Sequence, residues 1–81
     1  MRLRDVKKDM RFSESCMGFT VVLQALEAPR EVDDTDSCRT GLECRCRVMR
    51  GAGAASTGDT LMLFEKHNPG AYGLHLEEDP Q

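Results

Sequence analysis

The stretch that most restricts the fold is residues 42–49, "LECRCRVM", in which side-chain character alternates at every step. Leu42, Cys44, Cys46 and Val48 fall on one side; Glu43, Arg45, Arg47 and Met49 fall on the other. A period of two belongs to a β-strand, whose successive side chains point to opposite faces, whereas a helix groups residues three and four apart. The pattern predicts a half-buried strand with a small, thiol-bearing inner face and a basic outer face. Its inner face must be covered by other elements of the chain.

Three further segments are strand candidates. In "FTVVLQALEAP" (19–29) Phe19, Val21, Leu23 and Ala25 alternate, and the β-branched residues favour a strand. "LQALEA" also has high helix propensity, so a helix stays open there, and Pro29 ends either element. "TLMLFEKH" reads as a buried strand, "HNPGAY" as a turn, and "YGLHLE" as a last strand with Tyr72, Leu74 and Leu76 inward. At the N-terminus Leu3, Val6 and Met10 fit one or two helical turns, or an extended lead-in to a strand at 10–14, with "SESCMG" as a turn after it.

Between these lie polar connections. Residues 30–41 are acidic and rich in turn formers and predict a mobile loop; residues 51–59 are a Gly/Ala/Ser tract and predict a flexible one; residues 77–81 predict a solvated tail. The tract has no Gly-Lys-Ser/Thr and is no phosphate-binding loop. The sum is one all-β domain over residues 1–81, a small antiparallel barrel or roll of four to five strands, with or without a short N-terminal helical turn.

A chain of 81 residues with three Phe, one Tyr and no Trp builds a thin core, so association with a second copy or another protein is an expected supplement. No apolar run approaches the length needed to span a bilayer as a helix. The basic N-terminus has no apolar stretch behind it, so export is not expected, and the four cysteines are expected as reduced thiols in the cytoplasm. The net charge of −3 hides alternating blocks: residues 1–16 sum to +2, 27–37 to −4, 38–50 to +3 and 59–81 to −4. Such alternation suits charge-complementary contact with proteins better than uniform attraction to nucleic acid.

Candidate sites follow from these two faces. Arg45, Arg47 and Met49 on the outer face, with Arg39 before the strand and Arg50 at its end, form the expected partner-binding set, since guanidinium forks match carboxylates and phosphates. The expected partner is a protein or a second copy. Nucleic acid is the second choice, because no aromatic residues alternate with the arginines to stack on bases. Cys44 and Cys46 are expected as buried thiols; a zinc-supported fold through Cys38, Cys44 and Cys46, completed by Cys16 or His75, is the alternative. His67 and His75 read as surface residues, no reaction is indicated, and no cofactor or catalytic residue is expected.

Overall fold

The computed structural model describes residues 1–51 and 55–79. It contains six strands: β1 (Arg11–Cys16), β2 (Phe19–Ala25), β3 (Arg30–Asp34), β4 (Arg39–Arg50), β5 (Thr60–Lys66) and β6 (Leu76–Glu78). Strands make up 53% of the structure and form one antiparallel half-barrel sheet. Two 3-10 turns, Leu3–Asp5 and Gly70–Tyr72, are the only helical elements among the described residues. The all-β expectation holds, with one strand more than anticipated.

The 12-residue β4 organises the sheet because it pairs with three strands. Along one edge it carries β5 from Gly41↔Lys66 to Arg47↔Thr60. Along the other its first half carries β3, from Arg30↔Glu43 to Asp34↔Arg39, and its second half carries β2, with Ala25↔Cys46 and Leu23↔Val48. β2 continues to β1 and β1 to β6. The β1–β2 hairpin closes through Met17 and Gly18, both at positive φ, the two-residue connection whose twist suits a hairpin.

The alternation read in β4 is present: Cys44, Cys46 and Val48 are buried at 0–1% exposure, while Arg45 and Arg47 are exposed. The inner face packs Phe12, Leu23, Ala25, Leu63 and Leu76 against them. The Phe, Leu and Val side chains among them each contribute roughly 1.5–3 kcal/mol when taken from water. Leu3 and Val6 of the N-terminal segment enter the same core at 0% and 3% exposure. Asp5 holds that turn, its carboxylate accepting the Arg2 N–H at 2.9 Å.

Several local expectations change. Residues 30–41 are a β-hairpin rather than a loop: β3 meets the start of β4 through a turn at 35–38, with Cys38 at φ 57. Both faces of β3 are largely exposed, so no apolar alternation marks it. Ser13 to Cys16 belong to β1, and the turn is confined to Met17 and Gly18. The last strand begins at Leu76, and Tyr72 sits in a 3-10 turn at 95% exposure instead of pointing inward. Glu77 and Glu78 of the expected tail are strand residues, while Pro80 and Gln81 lie outside the described residues. Of the 51–59 connection, residues 52–54 lie outside them too; Gly58 N and Asp59 O extend the β4–β5 ladder to Val48.

Candidate functional site: the outer face of β4 and β5

The two halves of β4 treat their outward charges differently. Glu43 lies between Arg30 on β3 and Phe64 on β5. Its carboxylate accepts the Arg30 Nε–H at 2.5 Å, and Arg39 Nη2 lies 4.0 Å from its other oxygen. The Arg39 guanidinium also stacks over the Phe64 ring, 4.9 Å from its centroid. A cation over an aromatic face with a carboxylate at its edge is already satisfied. Arg39 therefore belongs to a packed cluster, together with Arg30, Glu43 and Phe64.

Beyond Glu43 the neutralisation stops. Arg45, Arg47 and Arg50 are exposed, and among the described residues no carboxylate lies within 4.0 Å of any of them. Arg45 has Met62 as its β5 neighbour, and Arg47 lies between Gln24 and Thr60. Met62 is 41% exposed and joins Arg45, Thr60 and Leu61 in lining a shallow depression. Met49 is half-buried and is the unpaired residue of a bulge, where the pairing passes from Leu23↔Val48 to Val22↔Arg50. The structure thus brings Arg45, Arg47 and Arg50 onto one strip, Arg50 through the bulge at Met49, and separates Arg39 from them by its own pairing.

Behind this face, the thiols of Cys44 and Cys46 sit 3.8 Å apart. Cys46 donates to the Cys44 sulfur, which lowers the Cys44 pKa and, with burial, raises that of Cys46. The Cys44 thiol in turn donates to the Glu27 carbonyl at 3.4 Å. Cys38 lies in the β3–β4 turn and is exposed, and Cys16 lies beside the β1–β2 turn. Six residue steps separate Cys38 from Cys44, roughly 20 Å at strand rise. One metal ion cannot collect Cys38, Cys44 and Cys46, and among the described residues no three His, Cys, Asp or Glu side chains come together. All four cysteines are free.

A buried carboxylate was not anticipated. Glu65 on β5 is buried and accepts from Arg2 Nε at 2.9 Å, Leu3 N at 3.3 Å and Leu74 N at 3.2 Å. Three donors from two segments offset the cost of burying the charge and tie the N-terminal turn and the 70s segment to the end of β5. Parity carried the signal: Leu61, Leu63 and Glu65 share one strand face. His67 Nε2 lies 2.9 Å from Glu31 Oε2, and His75 is exposed. Among the described residues neither histidine hydrogen-bonds to a serine, threonine or cysteine side chain.

Comparison with known proteins gives no relative: no family model, no curated protein and no solved structure matches the chain. No helix among the described residues is long and apolar enough to cross a membrane.

Proposed function

We propose that the chain is a small non-catalytic interaction module that takes an acidic segment of another protein on the outer face of β4 and β5, with Arg45, Arg47 and Arg50 as carboxylate-gripping groups. One observation carries the reading. The sheet engages Arg39 through the Glu43 carboxylate, 4.0 Å away, and the Phe64 ring, while among the described residues the next three arginines of the same strand have no carboxylate within 4.0 Å. The solvated guanidinium groups of Arg45 and Arg47, two residues apart, match an extended chain carrying carboxylates at the same spacing, because both strands repeat every second residue, and Arg50 follows beyond a bulge. Half-buried Met49 and exposed Met62 supply adaptable apolar contact beside them. The two exposed aromatics, Phe19 and Tyr72, lie on other elements, so base stacking has no platform on this strip. Four free thiols fit work in the reducing cytoplasm.

The reading is tested with a short fluorescent peptide of alternating Glu and Val, a Lys/Val counterpart and a single-stranded oligonucleotide of similar length. The expected result is that only the acidic peptide binds, more weakly as salt rises, and that Arg45→Glu/Arg47→Glu reduces its affinity at least about tenfold. Equal binding of the Lys/Val peptide would remove the charge argument. Tighter binding of the oligonucleotide at the same ionic strength would replace the acidic protein by a phosphate backbone.

A further inference from the structure

Among the described residues three strands, β3, β5 and β6, pair on one side only and so present a free edge. Proteins blunt such edges with shortness, charge, proline or bulges. β6 is three residues long with Glu77 and Glu78 in it, and β3 carries Glu31, Asp33 and Asp34. β5 has none of these devices over residues 60–64, "TLMLF", which hold no charge and no proline and pair with β4 in an unbroken register. The N-terminal turn reaches β5 only beyond this stretch, at Glu65 and His67.

The direction of the unpaired groups follows from the ladder. Val48 N donates to Asp59 O and Leu26 N donates to Arg45 O, each at 2.8 Å. From Cys44 to Val48, even-numbered residues of β4 therefore turn their backbone groups toward β5 and odd-numbered ones toward β2. With Cys46 opposite Leu61 and Cys44 opposite Leu63, β5 spends Leu61, Leu63 and Glu65 on β4 and leaves the N–H and C=O of Thr60, Met62 and Phe64 pointing away.

We propose that β5 pairs antiparallel with β5 of a second copy, around a two-fold axis at Met62, to form a homodimer with a continuous sheet. The inference rests on the reading of the β4–β5 face as the interaction surface and names a further partner for its edge. In this register Met62 faces Met62 of the second copy, and Thr60 faces Phe64 of the second copy in both directions. All three positions are those with outward backbone groups, so three pairs give six N–H···O bonds. Thr60 with Phe64 is a favourable cross-strand combination, and Leu61 opposite Leu63 of the second copy extends the apolar inner face. An axis at Phe64 instead would lay Lys66 against Met62, and one at Thr60 would set Asp59 against Leu61. Only the Met62 axis keeps the uncharged residues 60–64 opposite themselves.

The dimer also sets two arginine strips on one face. Arg45 of the two copies stands three strand spacings apart, roughly 14 Å. Salt must then act oppositely on the two contacts: it screens Arg45–Arg45 repulsion and tightens the dimer, while it weakens capture of an acidic peptide.

Sedimentation of the full chain over a wide concentration range tests the proposal, alongside hydrogen exchange at single amides. The expected result is a monomer–dimer equilibrium that tightens between about 0.05 and about 0.5 M salt, with the amides of Thr60, Met62 and Phe64 gaining protection as the dimer fills. Met62→Lys, at an exposed position, should keep the melting temperature of the monomer and weaken the dimer at least about tenfold by opposing two ammonium groups at the axis. Arg45→Glu/Arg47→Glu should still dimerise while losing the acidic peptide, which separates failure of the proposed binding face from failure of this dimer. A chain that stays monomeric at every concentration overturns the proposal. So does a dimer that ignores Met62→Lys, leaves those three amides unprotected, or weakens with salt.

Discussion

Both halves of β4 carry outward arginines, and those arginines meet opposite fates. From Arg39 to Glu43 the strand lies between β3 and β5, and both of its charges are engaged, with Arg30, Phe64 and each other. From Arg45 to Arg50 its partners are β5, up to Thr60, and β2, and the residues facing the arginines, Met62, Thr60, Gln24 and Val22, offer no charge. The difference lies in the neighbours rather than in β4. A strand gains ion pairs where an acidic or aromatic side chain sits directly across, and its arginines remain free where none does. The first half stabilises the sheet, and the second is left available to something outside it.

The largest effect should come from the satisfied end. Glu65→Ala removes the acceptor of three donors and leaves Leu3 N and Leu74 N without a partner, at a cost of about 3 kcal/mol. Urea unfolding measures it, and a cost below about 1 kcal/mol would mean that the N-terminal turn is not held through this carboxylate. Gly41→Ala should cost about 2 kcal/mol, because a Cβ there would meet the Glu65 carbonyl oxygen at 2.2 Å and push β5 away from the paired half of β4. Alanine at Arg45 and Arg47 together should change stability by less than about 0.5 kcal/mol, since among the described residues these side chains form no ion pair.

A smaller, pH-dependent effect belongs to Glu14, whose side chain faces inward opposite Leu76 and Val21 and whose carboxyl pKa is pushed up by burial. The folded state therefore holds this proton more tightly than the unfolded chain does. Stability is lost as pH rises from the unfolded value to the raised folded one, and the loss stays constant above it. Glu14→Gln should accordingly raise the melting temperature at pH 7 and leave it unchanged near pH 3; an increase at both pH values would assign the gain to packing. Last, a change in reactivity alone: an alkylating reagent should modify Cys16 and Cys38 in the native protein and reach Cys44 and Cys46 only on unfolding, counted by mass.

Legibility in the sequence followed side-chain contrast. β4 was readable because thiols and arginines alternate along it, and the inward Cys44 and Cys46 and outward Arg45 and Arg47 are where that parity puts them. β3 was not readable, because an edge strand exposed on both faces carries the acidic residues of a loop; backbone pairing with β4 makes it a strand. Gly70, at φ 60, bends the chain into a 3-10 turn and delays β6, so Tyr72 leaves the face on which alternation had placed it. The pairing of Arg39 depends on Phe64, 25 residues away, which no local pattern contains. Cys38 and Cys44, close in sequence, are separated by the very strand that the alternation predicts.

The contrast between the two halves of β4 is most directly tested by titrating the alternating Glu/Val peptide into the unmodified chain, Arg45→Glu/Arg47→Glu and Arg39→Ala, with thermal melts of each. The account predicts that the double variant melts like the unmodified chain and loses binding at least about tenfold. It predicts that Arg39→Ala keeps binding and melts lower. Binding that follows Arg39 and ignores Arg45 and Arg47 would contradict it.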